Sequence, residues 1–306
     1  MAWVRATALL ACGLACIAAR AGSAALDIDT YWEYGNPAAS EQRFRAALAD
    51  ASGDTQLELL TQIARTYSLR RRFAEAHALL DDIERKLPGA GTAPRVRYLL
   101  ERGRTYNSAG DKARAKPLFI EAYELGRQAG LEGLAVDAAH MVPIVSGGAE
   151  GALWTERGLA LARSSADPKA RALLPALLNN HAWNLHDERR YEEALPVFRE
   201  AETAWHATGR QPQGRIATWS VARCLRSLGR FNEALAMQRA LERAYAEAGA
   251  PDGYVFEEIA ELLLAMDRRA ESRPYFERAA SELGHDPGFA KAQTARLQRL
   301  RDLARD

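Results

Sequence analysis

One spacing constrains this chain more than any other: a pair of small residues recurs six times, always with eleven residues between its members. The pairs are Ala64 and Ala76, Gly103 and Ala115, Ala139 and Gly151, Ala182 and Ala194, Ala222 and Ala234, and Ala260 and Ser272. Each pair straddles a short polar turn, such as Arg70-Arg71-Arg72-Phe73, Ala109-Gly110-Asp111-Lys112 or Leu228-Gly229-Arg230-Phe231. Only Gly, Ala or Ser lets two helix backbones approach without a side chain between them, so the pattern predicts two helices crossing closely at one fixed place in every unit. The chain is therefore read as all-α, a solenoid of stacked helical hairpins.

Apolar residues around the turns keep helical spacing: Leu60, Ile63 and Tyr67 before the first turn, Leu79, Leu80 and Ile83 after it. The best copy runs Leu178, Ala182, Leu185, then Tyr191, Ala194, Phe198 and Ala201. This order resembles the tetratricopeptide repeat, in which a large residue opens helix A, a small one follows, and helix B carries small, aromatic and small residues in turn. The resemblance covers residues 57–286, as five copies in common register plus one degenerate copy, at about 57–90, 96–129, 132–165, 175–208, 215–248 and 253–286. It implies a right-handed superhelix with a concave groove lined by the first helices, a binding role and no enzymatic activity.

The register also departs from the family pattern. Successive second-helix small residues lie 39, 36, 43, 40 and 38 apart, against about 34 in the standard repeat. Gly and Pro cluster from Ala207 to Gly214 and from Ala248 to Gly253, so the extra residues are assigned to links between hairpins. Long links resemble the repeats of kinesin light chain and of bacterial sensory solenoids. The third unit is the weakest: Pro143 sits near the end of its first helix, Gly147-Gly148 forms its turn, and Thr155 stands where other copies have Phe119, Phe198 and Phe276. The stack is expected to bend or loosen near residues 140–152. Arg102 and His181 occupy positions that are usually apolar.

Each helix is predicted at about a dozen residues, a length that is marginal alone because nucleation costs a factor of order 1000. Stability must come from stacking, and both ends of the stack then need covers. Phe289, Ala292, Leu297, Leu300 and Leu303 make an apolar stripe that suits a capping helix over 287–306. Residues 25–56 read as an extended arm followed by a half-repeat helix carrying Phe44, Ala47 and Leu48.

Residues 1–24 pose a separate problem. Arg5 is followed by uncharged, mostly apolar residues from Ala6 to Ala19, then by small residues from Ala18 to Ala25. A spanning helix needs about 20 apolar residues, so this run suits a secretory signal rather than an anchor, and the expected location is the periplasm. Cys12 and Cys16 leave a lipoprotein reading open, although Leu10 and Leu14 stand where smaller or β-branched residues are usual before a processed Cys. Cleavage removes two of the 41 basic residues and none of the 40 acidic ones, leaving a net charge of −1. That balance gives no overall attraction to nucleic acid. Of the three Cys only Cys224 survives cleavage, so no internal disulfide forms. The preference for Arg over Lys fits a GC-rich bacterium.

Candidate chemistry is sparse. His181 and His186 are five apart, on different faces of one helix rather than at the i, i+4 spacing of a zinc helix. Glu257 and Glu261 share a face but nothing sets their environments apart. Cys224 has no His nearby in sequence and reads as a buried thiol. The sequence thus points to no catalytic group, no cofactor and no metal. Projecting the first helices onto the concave face instead gathers Thr61, Arg65, Arg97, Arg104, Asn179, Trp183, His186, Trp219, Arg223, Arg226, Tyr254, Glu257 and Glu261. Arg and large aromatics are enriched at binding hot spots. The groove is expected to be basic and aromatic in the middle and acidic at its C-terminal end. Its partner is read as a protein or peptide, with an acidic or C-terminal segment taken by Arg65, Arg104 or Arg223. A small-ligand sensor and a structural part of an envelope complex remain alternatives; the oligomeric state is left open.

Overall fold

The computed structural model describes residues 26–305, and their regular structure is entirely helical. In chain order the helices are α1 (Pro37–Leu48), α2 (Gly53–Leu69), α3 (Phe73–Glu84), α4 (Thr92–Ser108), α5 (Lys112–Gln128), α6 (Glu132–Ser146), α7 (Gly148–Ser164), α8 (Pro168–Ala172), α9 (Leu174–Asp187), α10 (Tyr191–Ala207), α11 (Gln211–Ser227), α12 (Phe231–Glu247), α13 (Gly253–Ala265), α14 (Arg269–Gly284), α15 (Pro287–Ala292) and α16 (Thr294–Arg305). Six hairpins result: α2 with α3, α4 with α5, α6 with α7, α9 with α10, α11 with α12 and α13 with α14. None of these helices is long and apolar enough to cross a membrane.

Every member of the six small pairs is buried. Gly103 shows why the size matters: a Cβ there would lie 2.6 Å from the Phe119 ring. Phe119, Phe198 and Phe276, each four residues past the second small residue, are fully buried. Phe44 is too, four residues past the buried Ser40, so α1 behaves as the second helix of a half repeat. The turns repeat as strictly as the crossings. Seven residues past the first small residue the backbone turns left-handed, at Arg71, Gly110, Arg189, Gly229 and Asp267, and in the third unit one place later, at Gly147. Glycine tolerates this conformation without cost; Arg71, Arg189 and Asp267 do not.

The source of the repeat's extra length corrects the sequence reading. Helices α4, α5, α7, α10, α11 and α12 are 17 residues each rather than a dozen. The links are correspondingly short: residues 208–210 alone separate α10 from α11. Gly209 ends α10 in a left-handed turn and Pro212 stands in the first turn of α11, where its missing N–H is no loss. Gly214 is inside α11, where a Cβ would meet the His206 ring at 2.8 Å. Gly and Pro here start a helix and permit a close approach; they do not make a loop.

The third hairpin closes at its crossing despite Pro143. Pro143 lies within α6, and the Cβ position of Gly151 is 3.4 Å from Pro143 Cα. Thr155 is buried, its hydroxyl donating to the Gly151 carbonyl at 3.0 Å, while Trp154 packs edge-on against Tyr123 at 5.0 Å. The irregularity comes after this hairpin, where the short α8 is inserted and packs on α6 and α7. Arg102 is accommodated by pairing with Asp81 and by the ring of Tyr98; His181 is half-buried.

Both ends differ from expectation. The arm is not extended throughout: Ile28–Tyr31 forms one 3-10 turn that buries Ile28 against Phe44, Leu59 and Ile63. The C-terminal segment is two helices broken at Gln293, and α16 buries Leu297 and Leu300 against Phe256, Phe276 and Ala279. Among successive first helices α2 touches α4, α4 touches α6 and α11 touches α13, and no pair of successive second helices packs as closely as α2 on α4. The stack therefore curves with its first helices on the inside.

Candidate functional site

The inner face divides into two halves of different character. In the first half the arm covers α2. Trp32 donates from its indole nitrogen to Gln62 at 3.0 Å and stacks on Tyr34, and the Arg65 guanidinium lies 5.1 Å from the Trp32 ring centroid. Further along, Asp27 and Asp29 both accept from Lys169 of α8 at 2.7 Å, so the arm bridges α2 and α8. Beneath it the arginines are already paired. Arg97 donates to Glu58 at 2.7 Å, Arg65 lies 3.5 Å from Glu101, and Arg104 donates to Glu101 at 2.6 Å and to Asp137 at 2.5 Å. Burial works against both charges, yet their mutual pairing holds Arg104 above and Asp137 below their ordinary pKa values. Thr61 is fully buried and donates to the Glu58 carbonyl. Arg65 and Arg104, expected to receive a carboxylate from outside, have it from Glu101 and Asp137.

The second half is aromatic. Trp183 of α9, Trp219 of α11, Tyr254 of α13 and Phe289 of α15 form a chain of ring contacts, with centroids 6.1, 6.5 and 5.9 Å apart. Trp183 also packs edge-on against the core ring of Phe198 at 5.0 Å, so it serves fold and face together. The Trp219 indole donates to the Tyr254 carbonyl at 3.3 Å. Tyr254 is 41% exposed and Ile216, one turn before Trp219, is 56% exposed. Asn179 is half-buried on the first turns of α9.

Charge on this half is arranged around Glu258. Arg226 grips it with two bonds at 2.8 and 2.9 Å, whereas Arg223 reaches it only at 3.3 Å and donates instead to Ser227 at 2.6 Å. Burial, then the neighbouring Arg226, pull Arg223 below the usual arginine pKa; Glu258 holds Arg226 above it against burial. The acidic C-terminal end expected from Glu257 and Glu261 is neutralised by α16, through Arg296 on Glu257 at 2.7 and 2.8 Å and Arg299 on Glu261. Glu101, Asp137 and Glu258 escaped the sequence reading because the only acids projected were Glu257 and Glu261, at the C-terminal end. The same projection applied to acids on the neighbouring helix would have paired them.

No family model and no curated protein matches this sequence. Its structure, however, superimposes on the apo form of RapI with TM-score 0.70 at 12% identity, over 91% of this chain and 81% of that one. A signal-transduction ATPase with a tetratricopeptide-repeat sensor from Pyrococcus horikoshii gives TM-score 0.67 at 12% identity, over 87% of this chain and 42% of that one. NprR in complex with its cognate peptide NprX gives 0.51 at 12% identity, over 89% and 81%. The fold is that of a tetratricopeptide-repeat solenoid.

Within this solenoid two constellations look chemical and have structural explanations. His186 Nε2 lies 3.0 Å from Ser227 Oγ, but its Nδ1 is 3.9 Å from an Asp187 that is mostly in solvent, and Ser227 is embedded in α11. The pair ties α9 to α11. Burial, then Arg223, lower the His186 pKa, so the ring is neutral at pH 7. Cys224 is fully buried with its thiol pushed up to about 11 by burial, which leaves it inert. Open clefts elsewhere, at the Ala109–Arg114 turn and between α14 and α16, are not lined by any of the aromatic face.

Proposed function

We propose that this chain is an exported, non-enzymatic repeat scaffold that binds a peptide or protein segment along the inner face of α9, α11 and α13, as a periplasmic adaptor or assembly factor. The observation that carries the reading is the chain of rings from Trp183 to Phe289, with Trp183 and Trp219 partly buried and Ile216 and Tyr254 left to solvent. A contiguous apolar strip with charges beside it is the composition of an interaction surface. NprR, a solenoid of the same fold, binds its cognate peptide NprX. The first half of the inner face is already occupied by the arm, which directs a ligand to the second half. Export rests on the short apolar run Ala6–Ala19 and the small residues after it. Capture from bacterial envelope extracts by the purified chain tests the reading. A partner retained by the wild type and lost by Ile216→Asp and Trp219→Ala supports it; equal capture by all three contradicts it.

A further inference from the structure

The charges on the inner face sum unevenly. Arg65, Arg97 and Arg104 are matched by Glu58, Glu101 and Asp137, and Arg296 and Arg299 by Glu257 and Glu261. Between these two neutral stretches stand two arginines and one acid. Glu258, with a side chain only 6% exposed, accepts from Arg226 at both oxygens, and its Oε1 also lies 3.3 Å from Arg223 Nε. Arg223 shares that single acid with Arg226, donates its closer hydrogen bond to the neutral Ser227 hydroxyl, and keeps 27% of its side chain in solvent. It is therefore a positive charge held in place, partly desolvated and short of one anion. A guanidinium in that state gains more from a carboxylate than a fully solvated one does, because part of its hydration is already lost.

The neighbouring surface fixes what else a ligand must carry. Trp219 lies four residues before Arg223 on α11 and Ile216 seven before it, so apolar surface and surplus charge share one helical face. Four residues of helix rise about 6 Å. Two residues of extended chain span about 6.6 Å and return the side chain to the same side. We propose that the face between α11 and α13 recognises one carboxylate on an extended peptide segment, placed two residues from a large apolar side chain. The inference rests on the peptide-binding reading of this face and names its specificity. The apolar side chain lies against Trp219, Tyr254 and Ile216, while the carboxylate completes the coordination of Arg223. An amide at the same position leaves the surplus charge uncompensated and is discriminated against.

The test uses random dodecapeptides displayed as internal segments, and a second library displayed with free C-termini, both panned against the purified chain. Recovered peptides are then synthesised in pairs that differ only in Asp or Glu against Asn or Gln, and their affinities are measured by fluorescence anisotropy. The expected result is enrichment of an acid two places from a large apolar residue, with the amide partner bound about tenfold more weakly. Enrichment in the internal library assigns the carboxylate to a side chain; enrichment only next to free C-termini assigns it to the chain terminus. Arg223→Gln should abolish the preference for acid over amide while leaving apolar-dependent binding. Arg226→Gln should abolish it too, because Glu258 is then released to Arg223. Binders that depend on Trp219 but show no acid preference, or one that persists in Arg223→Gln, overturn the inference while the peptide groove stands. If no recovered peptide depends on Trp219, the peptide groove itself is refuted and the inference with it.

Discussion

Replacing Gly103 by Ala should destabilise this protein, although the same change in the middle of an ordinary helix stabilises it. Gly103 lies well inside α4, where added helix propensity is worth about 0.5–1 kcal/mol. Its Cβ would sit 2.6, 2.9 and 3.0 Å from three atoms of the Phe119 ring, where carbon contacts normally lie at about 3.5–4.0 Å. Phe119 is completely buried, so the ring has no solvent side to retreat to. Overpacking of this kind costs about 1–3 kcal/mol. The net expectation is a loss of about 1–2 kcal/mol, read as a lower midpoint in urea denaturation followed by far-UV circular dichroism. In a Phe119→Leu background the obstructing ring atoms are gone, and Gly103→Ala should become neutral or stabilising, giving a coupling energy of about 1–2 kcal/mol. A gain in stability from Gly103→Ala in the wild-type background would refute the claim that the small pairs mark closest approach.

Other expectations follow from the same geometry. Ala194→Leu, at the fourth crossing, should cost about 1–3 kcal/mol while Ala207→Leu, at the exposed end of α10, is nearly silent; equal melting temperatures would contradict the register. Arg189 holds the left-handed turn position that Gly110 and Gly229 hold in their units, so Arg189→Gly should raise stability by about 0.5–1 kcal/mol, and a lower melting temperature would count against the turn strain. His77, His140, His181 and His186 are each held below the ordinary histidine value of 6.5, chiefly by burial. The unfolded chain therefore takes up protons first: their contribution is whole above about pH 6.5 and is lost as pH falls below it. Melting temperature should drop between pH 7.5 and 5.5, less steeply in His140→Gln, and an unchanged slope in that variant would remove His140 from the account. N-terminal sequencing of the protein from an envelope fraction should find a terminus between Gly22 and Leu26, and a retained Met1 in cytosolic protein would remove the export proposal.

The architecture was legible because it depends on small residues that tolerate no substitute of larger size. Six crossings at one spacing, from Ala64 to Ser272, are a steric requirement written directly in residue identity. Helix length was not legible from the same marks. Gly214 and Pro212 look like loop residues in a list, and only the approach of His206 and the first-turn position show that both belong to α11. The aromatic part of the face could be read by projection, since Trp183, Trp219 and Tyr254 fall on successive first helices and meet in space. Its electrostatics could not. Whether an arginine is available depends on acids of the next hairpin's first helix, as Asp137 for Arg104 and Glu258 for Arg226, and on the C-terminal cap, as Arg296 for Glu257. The arm is the extreme case, with Asp27 and Asp29 meeting Lys169 across some 140 residues.

The central claim is that the inner face of α9, α11 and α13 holds a peptide segment, and the affinity of a panned peptide for Ile216→Asp and Trp219→Ala tests it most directly. Ile216 is 56% exposed and contributes little to the fold, so Ile216→Asp should melt with the wild type and still lose binding. Removing a desolvated aromatic anchor costs about 2 kcal/mol or more, so Trp219→Ala should bind at least about 30-fold more weakly, with the helical spectrum retained. Full affinity in both variants would place the binding surface on the convex side or at the ends of the stack, and the account given for this face would fail.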